Sequence, residues 1–460
     1  MRRGLLTALL AAQVMVSMDG SIVTVALPHV RAGLHASDAV LQLVTGAYIL
    51  ALAVLVVTGA RLGDLFGHRR VFLAGVAAFG TASLACGLAP GGAALVAARA
   101  AQGAAGALVL PQVLALIQLH FAGAARVRAL GLYSTVLALG VAIGQIAGGV
   151  IVGWAGWRPV FLVNVPVAAA VVLAGPRVLP GAVPGGRRRL DLAGVALLSA
   201  GMAALVLPLV FGREQGWPAW TGVSLAAGCA GVALFVVHER RAAHPLLDLG
   251  VLRVPGVRAG LAACCCVMGA YTALLFCLAL HLQTGLGYSP PMAGLAFLPY
   301  PLGFGAASLA WSRLPGRGLL PVAGPVVFAA AVVPVALAAG GGAYGPVAPL
   351  LVAAGAGHAC GFAPLVERMS GAAGPGRASA LSALVNTGTL LANVSAIAVL
   401  GGVYLAAPDP AGGLVRVAVL LTVLLAAGAA CAWRAVRAEP PTDGGPPARP
   451  PTRDHPVAKR

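Results

Sequence analysis

Fourteen stretches of mostly apolar residues follow one another along the chain, over 5–28, 39–60, 71–89, 93–118, 129–153, 157–175, 191–211, 219–238, 257–280, 292–311, 319–338, 344–366, 378–405 and 413–434. A helix of about 20 such residues crosses the hydrocarbon of a bilayer, and a spanning segment must satisfy its own backbone there. The fold expected is therefore an all-α polytopic membrane protein. Only 9% of the residues are charged and the mean hydropathy is +0.94, whereas roughly a quarter of a soluble domain is charged. The 63 glycines suit helices whose backbones approach closely over small residues.

The net charge of +18 could suggest nucleic acid as a partner, but its distribution points elsewhere. With the N-terminus inside, 25 of the 30 Lys and Arg lie in inside loops or the tail, four lie outside, and Arg99 alone falls within a span. That asymmetry is the positive-inside pattern. It implies an even number of spans, cytoplasmic termini, a plasma-membrane location and no nucleic-acid role. The basic start and first apolar run look like a signal peptide, yet the run continues past Asp19 to Leu27 without a small-residue cleavage site, so it reads as a retained span. The eight cysteines all fall in apolar stretches without metal-ligand spacing, as small packing residues do. The Pro-rich segment 438–460 is expected to be a disordered cytoplasmic tail.

One acid stands inside the first span. Asp19 is about 14 residues into an inside-to-outside helix, or ~21 Å along it, and Arg99 is about six residues into an outside-to-inside helix, or ~9 Å from the outer face. Both fall at a similar depth in a bilayer core ~30 Å thick. They are expected to share one polar site with Gln102, one turn along from Arg99. An intramembrane charge is costly and marks a functional site by default, and two readings follow: Asp19 exchanges a proton for substrate while Arg99 tunes it, or the pair statically holds two helices. Gln145, Asn164 and Asn386 are polar positions in or near spans, suited to interhelical hydrogen bonds or to a substrate pathway. His281 and His358 are read as interfacial. No His/Glu metal motif, paired acids, nucleophile with base, or phosphate loop is present, which disfavours an enzyme and calls for no cofactor or metal. Repeated polar filter sequences, which a channel would need, are also lacking.

Several motifs carry a family resemblance. The segment T-G-A-R-L-G-D-L-F-G-H-R-R-V over 58–71 contains Gly63, Asp64, Gly67, Arg69 and Arg70 in the order G-D-x-x-G-x-R-R. It resembles the cytoplasmic gating loop between helices 2 and 3 of the major facilitator superfamily, with Asp64 placed to cap a helix start or to meet Arg69 or Arg70. M-D-G-S-I-V-T-V-A-L-P over 18–28, R-A-A-Q-G-A-A-G-A over 99–107, G-V-A-I-G-Q-I-A-G-G over 140–149 and G-W-R-P-V-F-L-V-N-V-P over 156–166 resemble segments of its fourteen-span drug:proton antiporters. The departures are Leu65 and His68 at usually basic positions, and Gln145 where the antiporter motif has proline. Gly140, Gly144, Gly148 and Gly149 keep a small helix-packing face.

The resemblance implies a six-helix bundle over 1–175, a linker with two extra helices over 176–256, and a second six-helix bundle over 257–437. It implies alternating access about a central site and proton-coupled export of amphipathic drugs or antibiotic-like compounds. The partners would be a small amphipathic substrate, protons and membrane lipids, and the chain would act as a monomer. A narrow exporter of one natural product or a proton-coupled importer is the alternative. A single embedded acid further implies a low proton count per cycle.

Overall fold

The computed structural model describes residues 2–180, 191–212, 215–242, 245, 247–313, 316–342, 344–374 and 377–438; the expected tail lies outside them except for Ala438. The described chain is helical almost throughout. The first group holds α1 (Arg2–Leu34), α2 (Asp38–Phe66), α3 (His68–Gly87), α4 (Gly92–His120), α5 (Gly123–Ala155), α6 (Pro159–Leu162) and α7 (Asn164–Val178). The pair α8 (Leu192–Phe211) and α9 (Ala219–Arg241) follows. The last group holds α10 (Val257–Leu280), α11 (Pro290–Phe297), α12 (Pro299–Ala310), α13 (Leu320–Gly340), α14 (Tyr344–Ala373), α15 (Ala378–Ala396), α16 (Gly402–Leu405) and α17 (Pro410–Ala438). Among the described residues, thirteen helical stretches are long and apolar enough to cross a membrane. The fifth of the fourteen expected positions is taken by α5, which is 33 residues long.

The helix ends follow from local chemistry. Ser37 caps α2 by accepting from Val40 N at 3.4 Å, and Asp191 caps α8 by accepting from Gly194 N at 2.9 Å, each satisfying an amide that a helix start leaves free. Between α2 and α3 the turn is Gly67 alone, at φ 90°, a conformation that favours glycine. The segment expected as a loop is thus two helices with a one-residue break. Gly156, at φ 78°, ends α5 and separates the fifth span from the sixth, which runs Pro159–Val178 through α6 and α7.

Each group packs on itself. In the first, α2 and α3 lie on α4, and α1 lies on α5 and α7; in the last, α13 and α12 lie on α14, and α17 and α15 on α10. Gly144 and Gly148 set the α1–α5 approach: a methyl on Gly148 would come within 2.9 Å of the Ile22 carbonyl oxygen, and one on Gly144 within 2.7 Å of that of Met18. Gly140 lies against Ser17 in the same seam. Gly149 faces elsewhere, onto Pro290 and Pro291 of α11 in the other group. The two groups also meet where Gln283 Nε2 donates to Val25 O at 2.9 Å, and where Gln42 of α2 lies against Gly402 of α16. These contacts share one end of the helices, the end at which α1, α5 and α10 finish and α2 and α11 begin.

Candidate functional site

The polar centre of the first group forms because four helices each contribute one or two polar side chains to an otherwise apolar interior. Asp19 on α1 accepts three hydrogen bonds: from Arg99 Nη1 of α4 at 2.5 Å, Gln102 Nε2 of α4 at 2.8 Å and Asn164 Nδ2 of α7 at 2.8 Å. Gln102 also donates to Ser83 Oγ of α3 at 2.7 Å and accepts from Arg99 Nη1 at 2.6 Å. Arg99 and Gln102 lie three apart and share a helix face. Asp19, Arg99, Gln102 and Asn164 are all 0% exposed.

Arg99 is also held by a backbone carbonyl and two rings. Its Nε donates to Val44 O at 2.8 Å, and its guanidinium lies 4.2 Å from the Tyr48 ring centroid and 5.7 Å from that of Phe161. A guanidinium over a ring face in a buried site gains from the ring quadrupole. Two polar atoms of the centre have no hydrogen-bond partner, Arg99 Nη2 and Asn164 Oδ1. The three partners of Asp19 are all donors, the set that a carboxylate, which only accepts, calls for.

The other sequence-derived positions fall outside this network. Gln145 Nε2 bonds Thr24 Oγ1 at 3.1 Å and Ser21 O at 3.3 Å, joining α5 to α1, and α5 runs unbroken through this position. Asn386 is exposed on α15. Asp64 neither caps α3 nor reaches Arg69 or Arg70, because α2 continues to Phe66 and carries it in its last turn. It lies 3.6 Å from His68 Nε2, while His68 Nδ1 contacts Gln112 Oε1 at 2.7 Å. Since Gln112 Nε2 is engaged by Gly59 O at 2.7 Å, its oxygen faces the imidazole and His68 Nδ1 is the donor. Gly63 leaves room for that Gln112 side chain. Arg69 donates to Pro176 O at 2.9 Å, Arg70 is exposed, and Arg61 donates to Pro245 O.

His358 is not at a helix end as expected. His281 is buried at the end of α10, and His358 is 4% exposed near the middle of α14. Tyr300 Oη of α12 and His358 Nδ1 share a hydrogen bond at 2.9 Å, and His358 Nε2 faces Met268 Sδ of α10 at 3.2 Å. Around the imidazole stand Phe304 at 4.8 Å, Tyr271 at 5.1 Å and Phe362 at 6.2 Å between ring centroids. The periodic signal was present, since His358 and Phe362 are four apart on one helix face. Among the described residues no group of three His, Cys, Asp or Glu is placed to hold a metal ion.

Comparison with known proteins agrees with this architecture. The family model of the Major Facilitator Superfamily matches residues 9–397. A probable actinorhodin transporter of Streptomyces coelicolor is 41% identical over 64% of the chain and 52% of its own length. A cephamycin export protein of Amycolatopsis lactamdurans is 43% identical over 63% and 61%, and a multidrug resistance protein of Mycobacterium tuberculosis is 36% identical over 66% and 57%. The chain thus spans about half to three fifths of the length of these relatives. Among solved structures, a peptide transporter in complex with sulfate superposes with a TM-score of 0.69 at 16% identity, covering 95% of both chains. An inward-facing bacterial homologue of the lysosomal transporter Spinster gives 0.65 at 17% identity, covering 95% of this chain and 97% of that one. At such identities the likeness is one of fold.

Proposed function

The chain belongs to the Major Facilitator Superfamily, and on that footing we propose that it is a proton-coupled exporter of amphipathic, antibiotic-like compounds across the cytoplasmic membrane. The observation that carries the reading is the buried Asp19–Arg99 pair with its donor shell of Gln102 and Asn164. The names of the relatives, transporters or resistance proteins for actinorhodin, cephamycin and multiple drugs, supply the direction and the class of cargo.

In this reading both termini are cytoplasmic, 1–175 and 257–437 are the two moving bundles, and 176–256 carries the inserted pair. The contacts of Gln283 with Val25 and of Gly149 with Pro290 then close the outer half, so the cavity opens inward and receives substrate from the cytoplasm. Rocking the bundles shifts α1 against α4 and α7, loosens the donors around Asp19 and lets it take a proton from outside. Return re-forms the shell and expels that proton inward. Gln102 and Asn164 position the carboxylate; Gly63, Asp64, Gly67, Arg69 and Arg70 form the cytoplasmic hinge. The chain works as a monomer among lipids, without cofactor or nucleic acid.

The test is gradient-driven uptake of a drug panel into inverted vesicles. Asp19→Asn, at wild-type membrane abundance, is expected to abolish uptake that a protonophore also abolishes. Wild-type rates from that variant would overturn the coupling role and leave the pair as a helix clamp.

A further inference from the structure

We propose that His281 is a second proton-binding group, one that releases the outer contact between the two helix groups when it is charged; the proposal rests on the export reading above, to which it adds a control from outside. The end of α10 carries both halves of the device. It closes in a π turn over His281–Gly285, a form that recurs at functional sites. Within that turn Gln283 Nε2 donates to Val25 O of α1 at 2.9 Å, across the two groups, while His281 lies against its own group, beside Pro410.

The imidazole is 1% exposed, and neither ring nitrogen has a hydrogen-bond partner. An unmet polar group this deep calls for a reason. Gly285 locates what stands beside it: a methyl there would come within 2.8 Å of His281 Nδ1 and 3.2 Å of Pro410 Cβ, at the start of α17. The end of α13 adjoins the same place, since Gly340 packs on Ala411. The main-chain carbonyls of Ala339 and Pro410 accordingly bear on the ring, without reaching hydrogen-bond geometry. A neutral imidazole has one N–H to offer and an imidazolium has two, so two carbonyls match the charged ring. Ala339 also lies at the C-terminal end of α13, where the helix dipole favours a cation.

Charge on the ring therefore sets the position of the turn. An imidazolium left where the ring now stands would be a buried and unpaired charge, which is costly. Drawn onto the Ala339 and Pro410 carbonyls it is paired, and because those belong to the second group while Val25 O belongs to the first, the same movement takes Gln283 off α1. Proton binding and outer closure thus oppose each other, and a proton arriving from outside favours the outward-open form. The remaining titratable groups about the turn make no bond to the imidazole. In the second group, Cys277 Sγ faces Leu400 O at 3.9 Å, Tyr404 lies by Thr284, Tyr288 follows the turn, and Asp409 accepts from Gly412 N at 2.5 Å. Arg416 of α17 is exposed. On α1, Arg31 pairs with Asp38 of α2, which leaves His29 as the rival sensor.

The experiment is double electron–electron resonance on the purified full chain in detergent. Nitroxides are carried by unnatural residues at the exposed positions Ala32 of α1 and Pro408 before α17, so the native cysteines stay in place. Lowering the pH across the range in which His titrates, about 8 to 5, is expected to raise the ratio of long to short distances in wild type by about fivefold or more. His281→Gln, whose amide cannot take the charge, should abolish that change, and His281→Leu serves the same purpose if the glutamine variant does not fold. Asp19→Asn and His29→Gln should keep it. A wild type whose distances ignore pH, a full shift without His281, or a shift lost in Asp19→Asn or His29→Gln overturns the proposal. Gradient-driven drug uptake by wild type in inverted vesicles, run in parallel, separates the two readings: if uptake is present and the distances ignore pH, only the role of His281 has failed, and if wild type shows no uptake, the export reading has failed.

Discussion

The Arg99 guanidinium lies over the Tyr48 ring, 4.2 Å from its centroid, while Nη1 reaches Asp19 at 2.5 Å and Gln102 at 2.6 Å. A planar fork with several fixed donors is required for that set, and an ammonium cannot reproduce it. Arg99→Lys keeps the charge yet loses the Nε bond to Val44 O and the guanidinium over the Tyr48 ring. Breaking a buried pair costs about 3–5 kcal/mol, and a partial break of this kind should cost about half of that. The expected outcome is a lower unfolding temperature in detergent and at least tenfold slower gradient-driven transport. Wild-type values for both would show that only charge matters at this position.

Asp19 and Arg99 were legible in the sequence because a charge in an apolar run is conspicuous, and because helix rise converts position into depth. Helix length was less legible. Hydropathy detects where the hydrocarbon ends, whereas a helix continues for as long as its backbone bonds are satisfied. Arg61 and Asp64 therefore sit inside α2, and α14 extends to Ala373 rather than 366. That extension is also why His358 read as interfacial and proves central. Its partners Tyr300 and Met268 are 58 and 90 residues away, and no local pattern announces them.

Gln112 joins three helices through one amide, bonding Gly59 O of α2 and His68 of α3, each at 2.7 Å. Gln112→Leu keeps the volume but leaves the His68 N–H facing an apolar side chain. An unmet donor of this kind costs about 1–3 kcal/mol. Thermal unfolding should fall accordingly, and Gln112→Glu, which preserves the acceptor for His68, should recover most of the loss. If the leucine variant unfolds at the wild-type temperature, the amide is not what holds the α2–α3 turn.

Asp191 gives the inserted pair a pH dependence. Burial pushes its carboxyl up, but the Gly194 amide and the hydrogen bond and charge of His238 outweigh that and hold it below its ordinary value of 3.8. A carboxylate depressed in the folded state contributes stability that is fully present above the unfolded value and is lost as pH falls through the folded one. Wild-type protein should therefore lose stability on acidification below about pH 4. Asp191→Asn keeps a helix cap and should flatten that part of the curve, read as unfolding temperature between pH 3 and 7. An unchanged acid limb in the variant would assign the loss to other carboxyls.

Gly148 and Gly149 are adjacent in sequence but face different partners, which makes them a paired test of packing against movement. A methyl on Gly148 meets Ile22 Cγ1 and the Ile22 carbonyl oxygen, both at 2.9 Å, within the first helix group. A methyl on Gly149 meets the Pro290 carbonyl oxygen at 2.5 Å and Pro291 Cα at 2.9 Å, across the two groups. Overpacking a tight seam costs about 1–3 kcal/mol. Gly148→Ala should pay that as lower thermal stability of the whole protein, because α1 and α5 stay together in every state. Gly149→Ala should leave stability within about 0.5 kcal/mol, because the groups can part at this contact, and should instead disfavour the state in which they meet. The readout is alkylation of single cysteines introduced at Gln42 and Gln283: labelling should rise in Gly149→Ala, transport should slow, and Gly148→Ala should show neither change once corrected for the amount folded. Equal labelling in the two variants would mean that the α5–α11 contact does not open during the cycle.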